Sequence, residues 1–216
     1  MLKHALMVTA IAFSAASAQA QVVLLTENFD NVNTLAGSGW IETNLSSPAG
    51  STTWAQGDQS IFAAQGGSAE SYITANYNSA APGGTISNWL ISPSFSTALG
   101  GTISFFAKAD ILEPYLDQIA FGLSTTGSSA PASFALGSGV TLSGGWTEYT
   151  FSFDAAGAGS AARFAINYFG SADLSNYIGI DTVTVTAVPE PSTWALMGLG
   201  LAGLAAMRRR RGSAAI

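Results

Sequence analysis

The chain has 216 residues, enough for one domain with a substantial core and additional terminal segments. Cysteine is absent and the only histidine is His4, which excludes disulfides, thiolate or imidazole metal sites, and Ser-His-Asp or Cys-His catalysis beyond the first residues. Only 9% of the residues are charged and the formal net charge is −6, a balance that argues against nucleic acid as a partner.

The first residues read as an export signal. Lys3 and His4 form a short positive start, Ala5 to Ala16 is apolar, and Ala18-Gln19-Ala20 is a small-x-small cleavage pattern. Residues 1–20 are therefore expected to be a signal peptide, with Ala18 and Ala20 setting the cut and the mature chain starting at Gln21. The segment 21–187 then keeps only Lys108 and Arg163 as bases. It holds twelve of the thirteen acids, since Glu190 lies beyond it, for a net charge of −10.

Within 21–187 the apolar residues recur with a period of two. Ile103, Phe105 and Ala107 share one parity, as do Ile119, Phe121 and Leu123, then Tyr149, Phe151 and Phe153, then Phe164, Ile166 and Tyr168. Turn clusters separate the runs: Pro82-Gly83-Gly84, Gly100-Gly101, Gly127-Ser128-Ser129 and Ser143-Gly144-Gly145. No stretch keeps a helical period. About eleven short strands, from Val22–Phe29 to Ile178–Thr186, predict an all-β fold, an antiparallel β-sandwich of jelly-roll type. Ile178 and Ile180 share one parity but Val183 and Val185 the other, so a bulge, or a strand covered on both sides, is expected at Asp181.

The last part has three elements in order. Pro189-Glu190-Pro191 precedes an uncharged run, Trp194 to Met207, and Arg208, Arg209, Arg210 and Arg211 follow. Fourteen residues at 1.5 Å each reach about 21 Å, short of a ~30 Å hydrocarbon core, and local thinning or snorkelling arginines make up the difference. A single transmembrane helix is expected here, with the arginines as a cytoplasmic stop and residues 212–216 as a cytoplasmic tail. This order closely resembles the PEP-CTERM sorting signal of Gram-negative bacteria. The resemblance, over 188–211, implies processing by an exosortase near the Pro-Glu-Pro motif. It also implies transient inner-membrane anchoring, then release to the cell surface or matrix of an exopolysaccharide-forming, biofilm-forming bacterium.

The domain carries a second resemblance. Glu27-Asn28-Phe29-Asp30, Gly39-Trp40, Asn88-Trp89-Leu90-Ile91-Ser92-Pro93, Gly101 to Lys108, Trp146 to Phe151 and Ile178 to Val185 occur in an order similar to choice-of-anchor J and cleaved-adhesin domains. That resemblance implies a jelly-roll binding or adhesive module without a shared enzymatic activity.

Four groups of residues are candidates for chemistry. A structural calcium ion held by oxygen ligands is expected where Glu27 or Asp30 of the first strand meets Asp181 of the last; the alternative is that Asp181 bonds a neighbouring loop. Asp110, Glu113 and Asp117 form an acidic loop read as a solvated stretch. Trp40, Trp89 and Trp146 look like core, whereas Trp54, between Thr53 and Ala55, is the candidate platform for a sugar ring. A carboxylate pair for glycoside hydrolysis is the enzymatic alternative. The expected role is structural or adhesive, with extracellular polysaccharide and an exosortase as partners and no catalytic residue.

Overall fold

In the computed structural model, residues 21–188 and 200–201 are described. The strands in chain order are β1 (Val22–Glu27), β2 (Ile41–Asn44), β3 (Ser47–Ala49), β4 (Ala55–Gln56) and β5 (Ile73–Asn76). Then come β6 (Ala80–Ile91), β7 (Phe95–Ser96), β8 (Gly101–Ala109), β9 (Gln118–Ser124) and β10 (Ala135–Leu136). The last are β11 (Val140–Thr141), β12 (Thr147–Phe153), β13 (Ala161–Ser171) and β14 (Tyr177–Ala187). The longer runs are the ones with alternating apolar residues; β4, β7, β10 and β11 are two-residue pairings that carry no such signal.

The strands form two antiparallel sheets. One runs β12-β8-β14-β5-β4 with β1 added to β14, and the other β10-β9-β13-β6-β2 with β11, β3 and β7 added at β9, β6 and β13. The main core lies between them. Ile103, Phe105, Ala107, Ile178, Ile180, Val183 and Val185 of the first sheet are buried there with Phe164, Ile166, Tyr168, Ile119, Leu123 and Leu90 of the second. The parities read from β8, β9, β12 and β13 are the inward faces, and Glu148, Thr150 and Ser152 point to solvent.

The parity change in β14 is a bulge. Its register with β8 slips between Asp181 and Thr184, and Thr182 takes a left-handed backbone at φ 50°. Without the extra residue Val183 and Val185 would face outward; with it, all four apolar side chains reach one core. The bulge is also where the neighbour of β14 changes, from β5 over Tyr177–Ile180 to β1 over Val183–Ala187.

One expectation differs. Pro82-Gly83-Gly84 does not end a strand: β6 runs through it for 12 residues. Gly83, at φ 75°, lets the backbone kink, and the pairing of β3 with β6 shifts around it. Val32–Ser38 forms a 3-10 turn. Asn31 caps it by accepting from the Asn33 N–H, and Gly39 closes it at φ 90°.

No helix among the described residues is long and apolar enough to cross a membrane. The expected span Trp194–Met207 lies outside them except for Gly200 and Leu201, which are helical. Ala18, Ala20, Pro189, Glu190, Pro191 and Arg208 to Arg211 lie outside them as well.

Candidate ligand site at the loop end

Three connections meet at the end of the sandwich where β14 starts. They are the Tyr77–Ser79 turn before β6, residues 110–117 between β8 and β9, and residues 172–176 between β13 and β14. Asn176 joins them. Its carbonyl accepts from the Tyr77 N–H at 2.9 Å, and its side-chain amide donates to the Asp110 carbonyl at 2.8 Å and carboxylate at 3.1 Å. Its own N–H donates to the Asp117 carboxylate at 2.9 Å. The Leu116 N–H donates to the Leu174 carbonyl at 2.8 Å, closing the ring of loops.

The loops enclose an open cavity of about 420 Å³. Tyr77, Leu112, Tyr115 and Pro82 give it apolar walls, and Asn78, Asp173, Ser175 and Asn176 give it polar ones. The size and the mixture suit a small-molecule or sugar-ring site. Asp173 is held in place, since one carboxylate oxygen accepts from the Gly83 N–H at 2.9 Å. Tyr77 and Leu112 of the lining, and Ile111, Leu116 and Leu174 of the same connections, are all about half exposed, from 47% to 59%. Large exposed apolar residues gathered on neighbouring connections are of the kind that marks a contact surface.

The acidic loop corrects one expectation. Asp117 is not solvated: it is 2% exposed and accepts from the Tyr168 hydroxyl at 2.7 Å as well as from the N–H of Asn176, a residue lining the cavity. Burial pushes its pKa up, against the lowering effect of those donors, and burial likewise pushes up the pKa of the Tyr168 phenol.

Trp54 is a second correction. It is 4% exposed and belongs to the main core, rather than standing free in a polar stretch, and it borders the second cavity described next. The polar residues around it gave no hint of this; pairing of Ala55 and Gln56 with β5 turns the indole inward. Its N–H has no partner within the protein. Trp54 and Trp40 line a second cavity of about 480 Å³, together with Val32 and Ala36 of the 3-10 turn and Glu42 of β2. Glu42 lines that cavity, with its pKa raised by burial. Trp40 is core as expected, and Trp89 packs in a satellite cluster with Phe134 and Ile91. Trp146 is partly buried, its indole donating to the Ala63 carbonyl at 3.0 Å.

Glu27, Asp30 and Asp181 come to one corner of the sandwich. Glu27 lies opposite Val183, and Asp30 lies beside Gly67. One Asp181 oxygen accepts from the Gln65 and Gly66 N–H groups at 2.9 and 3.1 Å, the other from the Thr182 hydroxyl at 3.1 Å. Glu27 accepts from the Phe29 N–H at 2.9 Å. Asp181 thus ties the 65–66 loop to the bulge. Among the described residues no three His, Cys, Asp or Glu side chains close on a common point.

Comparison with known proteins places both parts of the chain. Residues 187–211 match the PEP-CTERM protein-sorting motif. No curated protein matches the chain. Among solved structures, the K3 cleaved adhesin domain of Lys-gingipain from Porphyromonas gingivalis W83 is 18% identical, with a TM-score of 0.57 over 77% of this chain and 99% of that one. The K1 cleaved adhesin domain of the same protein is also 18% identical, with a TM-score of 0.56 over 76% and 98%. Identity at that level speaks for the fold alone. The chain is an antiparallel β-sandwich with the fold of cleaved adhesin domains, followed by a PEP-CTERM protein-sorting motif.

Proposed function

We propose that the protein is exported, held briefly at the inner membrane by its C-terminal segment, and cut by an exosortase near Val188 to Pro191. The domain then serves at the cell surface as a structural or adhesive module of an extracellular polysaccharide layer. The sorting motif at 187–211 carries this reading. Support for binding over catalysis comes from the cavities. Hydrolysis of a glycosidic bond needs two carboxyl groups facing each other about 5–10 Å apart. Each of the two cavities has a single carboxylate in its lining, Asp173 in one and Glu42 in the other.

The test is expression of the full chain, epitope-tagged in the exposed Asp154–Gly159 loop, in a Gram-negative host with and without an exosortase. With the enzyme, a shortened species is expected to leave the inner-membrane fraction. Replacing Pro189, Glu190 and Pro191 together by alanine should block this. An unchanged size and location in the exosortase-bearing host overturns the reading.

A calcium ion at Glu27, Asp30 and Asp181 is a separate proposal. Its support is the complete burial of the Asp181 carboxylate and the two left-handed residues beside the acids, Phe29 at φ 53° and Thr182 at φ 50°. Binding requires the carboxylates of Glu27 and Asp181, which hold N–H donors, to turn toward one point. A Tm lower in EDTA than in calcium supports the ion, and equal values overturn it.

A further inference from the structure

The chemistry of the loop-end cavity narrows what enters it. The only bases of residues 21–188 are spoken for elsewhere: Lys108 Nζ lies 4.5 Å from the centre of the Phe62 ring, and Arg163 donates to the Gly127 and Ser92 carbonyls. Asp173 lines the cavity, Asp110 is bonded to its hub residue Asn176, and Glu113 is exposed on the same loop as Leu112 and Tyr115. A ligand with carboxylate, sulfate or phosphate groups would meet like charge with no cation to receive it. The polar wall is made of amides, a hydroxyl and one carboxylate, which are partners for hydroxyl and amine groups. The apolar wall holds two tyrosines, and an aromatic face complements the C–H side of a pyranose ring.

We infer that this cavity binds a sugar ring of a glycan that lacks acid groups, a neutral hexose or an amino-sugar polymer, with Tyr77 and Tyr115 as the stacking residues and Asp173 and Asn176 as hydroxyl or amine acceptors. The inference rests on the surface-adhesion reading and assigns it a site and a ligand class. The hub at Asn176 explains how residues about a hundred positions apart in sequence hold one shape before the ligand arrives: every loop of the site is tied to another by a backbone or amide hydrogen bond. Little ordering is then left to oppose binding.

The full chain is to be assayed by pull-down and surface binding against a neutral β-glucan, a partly de-N-acetylated hexosamine polymer and a polyuronate at physiological salt. Retention by one or both of the first two and not by the polyuronate is expected. Tyr77→Ala and Tyr115→Ala should each weaken binding by about tenfold, with an unchanged melting curve showing that the fold is intact. Asp173→Asn should weaken the amino-sugar polymer more than the glucan. Equal binding of the polyuronate overturns the ligand class. Full binding by the Tyr77→Ala/Tyr115→Ala double variant overturns the site, yet leaves the adhesive reading standing. Binding to no glycan, together with self-association or protein capture abolished by Leu112→Asp, assigns the patch to a protein contact and overturns the inference while exosortase processing is scored independently.

Discussion

The Tyr168 hydroxyl donates at 2.7 Å to the Asp117 carboxylate, which also holds the N–H of the cavity residue Asn176. Tyr168 belongs to the inward face of β13, and Asp117 is the last residue of the connection before β9, so this bond joins the sandwich core to the loops. Tyr168→Phe keeps the ring and removes the donor. It leaves a buried carboxylate with one partner fewer, and a loss of about 1–3 kcal/mol is expected in urea unfolding. Glycan affinity should fall with it only if the loops loosen, which makes the variant a measure of how strongly site and core are coupled.

Stability should rise on mild acidification. Burial raises the pKa of Asp117, Asp181 and Glu42, so each binds a proton more readily in the folded than in the unfolded chain. Their contribution is fully present below the unfolded pKa, near 4, and is lost as pH rises through the folded value. Asp58 shifts downward but is fully exposed and contributes little. The Tm at pH 5 is therefore expected to exceed that at pH 7, and Asp117→Asn should flatten the slope. A Tm that falls between pH 7 and pH 5 contradicts this.

Gly179 has a packing role. A methyl group there would stand 2.8 to 2.9 Å from the rings of Tyr72, Phe62 and Trp146, which cover the outer face of β14. Phe62 and Tyr72 are stacked at 5.1 Å, and Trp146 meets both edge-on. Gly179→Ala must push this cluster outward at a cost of about 1–3 kcal/mol. Intrinsic tryptophan fluorescence, through Trp146, should shift as the cluster opens.

Trp54 offers a test of burial against ligand contact. As a core residue, Trp54→Ala should cost about 3–5 kcal/mol in unfolding free energy. Trp54→Phe discards an unpartnered N–H and should cost far less. Glycan binding by Trp54→Phe is expected to match the parent.

The sequence carried the sandwich because alternation is a local signal: two residues apart means the same face, whatever the chain does elsewhere. It carried the Asp181 bulge for the same reason, since a change of parity inside an apolar run has few physical explanations. It misled at Pro82-Gly83-Gly84, where turn residues serve a kink in a continuing strand, and at Trp54, whose burial depends on a two-residue pairing. The loop-end cavity was not visible at all. Tyr77, Leu112, Tyr115 and Asn176 show no periodicity and sit in three separate connections, and only the strand order brings them together. Asp117 looked solvated because its neighbours Asp110 and Glu113 are polar, while the partner that draws it inward, Tyr168, lies 51 positions away.

β14 joins the two ends of this protein's working life. Its first residues follow Asn176 and the loop-end cavity, and its last, Ala187, leads into the sorting motif. Eleven residues of extended chain span about 36 Å. A pull along its length would load β14 in shear against β8 on one side and β5 and β1 on the other, so that many ladder bonds must fail together before the domain gives way. The strand that closes the core is also paired on both sides over most of its length.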